Sequence, residues 1–171
     1  MIQPELLSEI HAQFRRQMNA DVSASLRAHG VSYKLAFGVP SMRLKDVAAL
    51  YEPSDELAET LWQEDIRESK MLATRLYPIG TFTRPTAERW TEEAPYDEIS
   101  DQLVMNLLAR VPYVQDLLDT LTKSDDRRRL YTALKLATRL GAPSLREKAA
   151  RILNDTRCDI ALRTAASLYL S

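Results

Sequence analysis

Leu72-Ala73-Thr74-Arg75-Leu76 returns further along the chain as Leu136-Ala137-Thr138-Arg139-Leu140, and a proline follows each copy within three residues. Between the two lies a third, looser version, Leu107-Leu108-Ala109-Arg110-Val111-Pro112. Arg75 to Arg110 is 35 residues and Arg110 to Arg139 is 29, which brackets the length of a two-helix repeat. The final segment, with Leu162, Ala165, Ala166, Leu168 and Tyr169, carries the same apolar stripe once more. One such unit cannot bury its apolar face alone, so stacked neighbours must share a continuous core.

Outward from these copies the same grammar holds. Leu6, Ile10, Phe14 and Met18 recur at four-residue spacing, opposed by Arg15, Arg16 and Gln17, which predicts an amphipathic helix over 5–19. A second helix is predicted over 20–29, where Gly30 supplies the stop. Ser and Asp then stand at N-cap positions, and Pro or Gly follows each end, predicting helices at 41–51, 54–63, 66–77, 84–94, 97–110, 113–122, 125–140, 144–154 and 157–170. Such lengths with short connections are those of antiparallel helical hairpins. Only 31–40 has a strand-like alternation, Tyr33, Leu35 and Phe37, and Gly38 and Pro40 cut it short, so it reads as an extended connector. The expectation is one all-α domain over 1–171, a HEAT-like solenoid of ten to eleven antiparallel-paired helices with a curved, ridged surface.

Composition narrows the chemistry. The 171 residues hold 45% hydrophobic and 27% charged side chains, ordinary for one globular core, and no run approaches the roughly 20 apolar residues of a membrane span. The N-terminus lacks a basic region followed by an apolar run, so the protein is expected in the cytoplasm. Cys158 is the sole cysteine, which excludes an internal disulfide and a thiolate zinc cluster. The two histidines, His11 and His29, have no carboxylate spacing that joins them into a metal site or a nucleophilic triad, and no metal is expected. No two glycines lie within six residues of each other, so a phosphate-binding glycine loop is absent and no nucleotide cofactor is expected. With 23 Lys and Arg against 24 Asp and Glu, net charge −1, a polyanion would have to meet a local basic patch.

Four blocks between about residues 35 and 140 resemble one family in order as well as in letters. They are Gly38-Val39-Pro40-Ser41-Met42-Arg43, then Leu57-Ala58-Glu59-Thr60-Leu61-Trp62, then Arg67-Glu68-Ser69-Lys70-Met71-Leu72-Ala73, and finally Arg89-Trp90 with Ser100-Asp101-Gln102-Leu103-Val104-Met105-Asn106-Leu107. The chain resembles the HEAT-like alkylpurine DNA glycosylases, the DNA alkylation repair family, as a short or divergent member. The last block is similar to that family's W-D-x-x-D-Q-x-x-M-N-L helix.

The resemblance implies removal or binding of alkylated, cationic purine bases on a concave helical surface. It places Asp101 where the family's aspartate stabilises positive charge on the deoxyribose as the base leaves. A carboxylate suits an oxocarbenium-like transition state, and early in a helix it equally suits the helix dipole. The family's stacking aromatic falls on Asp97, with Tyr96 one position off and Trp90 nearby. The family's phosphate-binding arginine counts to Leu130 or Tyr131, one turn or less beyond Arg127, Arg128 and Arg129, any of which is a candidate. Arg43, Lys45 and Arg84 complete the basic residues expected to meet DNA. Against them stand Glu92, Glu93, Asp97 and Glu98, which crowd Asp101 with negative charge. The expected partner is therefore duplex DNA, or, if the scaffold has lost its chemistry, another protein. The apolar residues Ile160, Leu162, Leu168 and Leu170 of the final helix also allow a homodimer.

Overall fold

The structure is a computed structural model that describes residues 1–171. All eleven expected helices form: α1 (Pro4–Arg16), α2 (Ala20–Ala28), α3 (Ser41–Ala48), α4 (Asp55–Gln63), α5 (Arg67–Leu76), α6 (Arg84–Glu93), α7 (Asp97–Asn106), α8 (Val114–Lys123), α9 (Arg127–Leu140), α10 (Arg146–Asn154) and α11 (Ile160–Leu170). Side chains at several helix starts accept backbone N–H groups, Ser54 from Leu57, Thr83 from Thr86, Asp126 from Arg129 and Asp159 from Leu162. Several helices are shorter than predicted: α1 and α3 each end three residues early, α11 starts three residues late, and α7 departs most. The segment 97–110 breaks after Asn106, and Leu108–Arg110 forms a separate 3-10 turn. Pro112 forces Val111 into extended backbone, ψ 147, so the chain must leave the α conformation early while still burying Leu107, Leu108 and Val111. No helix is long and apolar enough to cross a membrane.

The chain divides into two compact units, 1–81 and 82–171. In the first, α4 and α5 form an antiparallel hairpin, and the Ser54 N–H at the start of α4 donates to the Leu76 carbonyl at the end of α5 at 2.9 Å. The connector 31–40 is extended, as expected, and the reason it holds its place lies in α5. Glu68, fully buried, accepts the backbone N–H groups of Phe37, Gly38 and Val39 at 2.9–3.1 Å. Arg67, also buried, donates to a Glu68 carboxylate oxygen at 2.8 Å and to the Val39 carbonyl at 3.0 Å. A charge removed from water is tolerated only when paired and hydrogen-bonded, and here both ions are. Gly38 is required at the bend because its φ is +73° and a Cβ would stand 2.2 Å from the Asn19 carbonyl oxygen.

In the second unit α8/α9 and α10/α11 pack as hairpins, and α6 and α7, which precede them, both pack against α9. The second helices are neighbours running in the same direction, which the side-chain pairs establish. Asp97 meets Arg127 and Asp101 meets Tyr131, both 30 residues apart, and Arg127 meets Asp159 at a separation of 32. A constant offset along two helices is the register of parallel helices in consecutive repeats, and it falls inside the spacing read from the repeated letters. The two copies of Leu-Ala-Thr-Arg-Leu are nonetheless housed differently. Thr74 is buried and Arg75 half-buried, with the Arg75 guanidinium donating to the Ser41 hydroxyl at 3.1 Å, whereas Thr138 and Arg139 are exposed.

Candidate functional site

The register of α7, α9 and α11 brings a set of charges together on one face. On α9, Arg127, Tyr131, Lys135 and Arg139 recur every four residues and therefore lie along one stripe of the helix. The Tyr131 hydroxyl donates to Asp101 Oδ1 at 3.0 Å, and Lys135 Nζ stands 3.3 Å from the same oxygen. No hydrogen bond reaches Oδ2. The Tyr131 ring lies between two cations, with the Arg127 guanidinium carbon 5.2 Å and Lys135 Nζ 5.8 Å from its centre. Burial, and then the adjacent Asp101 charge, push the Tyr131 phenol well above its ordinary pKa, so it acts as a hydrogen-bond donor at every physiological pH.

Arg127 joins three repeats. It donates to both oxygens of Asp97 at the start of α7 and to both oxygens of Asp159 at the start of α11, the latter at 2.8 and 2.9 Å. Hydrogen bonds from Arg127 hold the Asp159 carboxyl down at about 2, and the same bonds, with those to Asp97, raise the guanidinium further above its already high value. The other arginines expected to meet phosphate are similarly engaged. Arg128 donates to the Glu92 carbonyl and Arg129 to the Glu92 carboxylate, while Arg84 donates to Glu88 at 2.9 Å and to the Thr120 hydroxyl at 2.6 Å. Of the acidic residues near Asp101, Asp97 and Glu92 are thereby paired, and Glu93 is paired to Arg89. Arg43 and Lys45 remain exposed on α3, Arg43 at 4.0 Å from Asp46, and they belong to the unit 1–81.

Tyr96 is the N-cap residue of α7, half-buried, and lines a small cavity with Pro95, Asp97, Arg127 and Arg128. Trp90 corrects an expectation. Its side chain has 0% exposure and packs edge-on against Phe82 with ring centres 5.5 Å apart, so it is a core residue and offers no face to a base.

Below the Asp101 and Lys135 pair lies a groove of about 370 Å³, lined by Asp101, Val104 and Met105 of α7, Lys135, Thr138 and Arg139 of α9, and Ala165 and Leu168 of α11. Arg139 makes no ion pair or hydrogen bond there, and no aromatic ring lines the groove. Lys135 and Arg139 were not singled out from sequence. Their signal was the four-residue spacing with Arg127 and Tyr131, which the run Arg127-Arg128-Arg129 obscured. The ungapped count that reached Tyr131 does identify the side chain against Asp101.

This arrangement of parallel second helices in consecutive hairpins is a HEAT-like helical repeat with a polar stripe across its repeats. The family model for DNA alkylation repair enzymes matches residues 10–158, and the chain belongs to that family. Among solved structures it is similar to one described as "a new family of proteins related to the HEAT-like repeat DNA glycosylases with affinity for branched DNA structures", at 17% identity and a TM-score of 0.77, covering 95% of this chain and 73% of that one. That likeness carries the fold. No curated protein matches the chain.

Proposed function

We propose that the protein binds DNA through the face made by α7, α9 and α11, and that it holds an altered or branched site without cleaving the glycosidic bond. The observation that carries this reading is the Lys135 ammonium 3.3 Å from the Asp101 carboxylate. A carboxylate stabilises an oxocarbenium-like transition state by the negative potential it presents to the sugar. Lys135 compensates that charge, and the Tyr131 hydroxyl occupies the same oxygen. The counted position of the family's stacking aromatic is Asp97, which Arg127 holds by both oxygens, and the neighbouring Tyr96 lines a cavity apart from the groove beside Asp101. Family membership supports DNA as the ligand, and the affinity of the structural relative for branched DNA supports a structured site over plain duplex.

The test measures two things on the same preparation. Fluorescence anisotropy with a four-way junction and with linear duplex, at about 50 and 200 mM salt, should show salt-dependent binding that favours the junction. Release of free base from methylated duplex should be no faster than the background and unchanged in Asp101→Asn. Base release that disappears in Asp101→Asn would establish an N-glycosylase and overturn the non-cleaving reading. Absence of salt-dependent binding to either DNA would leave the alternative, a HEAT-like scaffold for a protein partner.

A further inference from the structure

The final helix turns outward a face unlike those of the helices before it. α8 exposes Asp116, Asp119 and Lys123, and α10 exposes Arg146, Glu147 and Arg151. α11 has a single charged residue, Arg163, whose guanidinium turns back to donate to the Leu153 carbonyl at 3.1 Å. Leu162, expected at this surface, is buried in the core with Ala165 and Ala166, and Leu170 is partly buried against the same cluster. What α11 offers outward is Ile160, 81% exposed, and Leu168, 57% exposed, with Ala161, Thr164 and Ser167 between them.

The order of residues on that face reads the same in both directions. Counted from Thr164, a large apolar side chain stands four residues before and four after, Ile160 and Leu168, and a small one three before and three after, Ala161 and Ser167. Positions three and four apart share one helix face, so the five side chains form a single stripe. A two-fold axis through Thr164, perpendicular to the helix, exchanges Ile160 with Leu168 and Ala161 with Ser167. An isologous interface asks for this symmetry, in which residue i of one copy meets residue j of the other and j meets i. The small central residues let two helix backbones approach closely, and no charge has to leave water.

We propose that this face pairs two copies of the chain, α11 antiparallel to α11 across a two-fold axis at Thr164, with Ile160 of each copy packed on Leu168 of the other. A helix of 11 residues is about 16 Å long, so the contact buries roughly 800 Å² in all. Stable complexes bury about 1,200 Å² or more, so this pair is an exchanging one, with a Kd of about 10–100 μM. Leu168 also lines the groove beside Asp101, which sets the second copy at the rim of that groove and relates two such grooves by one axis. The inference concerns assembly and stands apart from the DNA-binding reading.

Sedimentation equilibrium of the full chain, without DNA, from about 5 to about 500 μM should show monomer passing to dimer with a Kd in that range. Thr164→Arg sets two like charges together at the axis and should leave a monomer throughout. Ile160→Lys and Leu168→Glu should each be monomeric alone, because each sets a charge against an apolar side chain at both contacts. Mixed in equal amounts the two should pair, since the mixed dimer keeps one contact of Ile160 with Leu168 and joins the new ammonium to the new carboxylate at the other. All three positions are exposed, and circular dichroism melts confirm that each variant is folded. A natural chain that stays monomeric at about 500 μM would overturn the inference. So would a dimer that survives Thr164→Arg, which would place the interface elsewhere, and so would folded Ile160→Lys and Leu168→Glu chains that fail to pair on mixing.

Discussion

Replacing Arg127 with Met should loosen the second unit in a way that depends on pH. The guanidinium makes four hydrogen bonds to Asp97 and Asp159 and ties the starts of α7, α9 and α11 together. Its side chain is 39% exposed, so each ion pair is screened by water and contributes only about 0.5–1 kcal/mol. Two bidentate pairs sharing one cation therefore amount to about 2 kcal/mol, a shift in Tm of about 4–8 °C for a chain of this size. The sign with pH follows from Asp159, whose carboxyl is held down at about 2 from an ordinary 3.8 by Arg127. A depressed carboxyl contributes stability that is fully present above its unfolded value and is lost as pH falls through its folded value. The gap between the natural chain and Arg127→Met should thus be constant near neutrality and shrink between about pH 4 and pH 2. Thermal melts followed by circular dichroism across that range measure it directly. A cost below about 0.5 kcal/mol at pH 7, or a cost undiminished at pH 2, would refute the clasp as a stabilising element.

Three further outcomes are expected. Gly38→Ala should destabilise the first unit by about 2–4 kcal/mol in urea unfolding, because the residue has a positive φ and its Cβ would meet backbone of Asn19 and Ser23. Glu68→Gln should cost about 3–5 kcal/mol in the same measurement, since it leaves the buried Arg67 without its counter-charge and weakens three backbone hydrogen bonds to the connector. Lys135→Met should weaken DNA binding and lower the slope of log affinity against log salt by about one, the loss of a single phosphate contact, in a titration series.

The helices were legible in sequence because apolar stripes recur along the whole chain and side-chain caps mark several of the starts. Ser54, Thr83, Asp126 and Asp159 each cap the start of a helix, whereas α5, α7 and α10 start without a side-chain cap and are marked by their apolar residues alone. What could not be read was how the charges pair, because pairing depends on register between helices some thirty residues apart. Arg127, Arg128 and Arg129 look alike as letters, yet Arg127 faces two carboxylates across two helix boundaries while its neighbours turn to Glu92. Burial is hidden in the same way. Trp90 precedes the motif block in sequence, but its helix turns the ring inward against Phe82. Glu68 is the sharpest instance, since a charged residue in a first helical turn ordinarily faces water, and only the path of the connector back over α5 encloses it.

Those pairings change what the net charge means for a DNA-binding surface. A chain with 24 acidic and 23 basic residues has no long-range attraction for a polyanion, so recognition must rest on whichever cations are left uncompensated on a shaped surface. On the face of α7, α9 and α11 Arg127 holds the repeats to one another, and Arg139 is the cation left without a carboxylate. The two copies of Leu-Ala-Thr-Arg-Leu make the point within one molecule. The first places its arginine in a half-buried setting that lowers its pKa through desolvation and donates it to Ser41, a structural use. The second presents the same residue to an open groove beside a carboxylate. Identical letters thus serve packing in one repeat and stand exposed beside a groove in another, and in the first it is Ser41 of α3 that takes up the arginine.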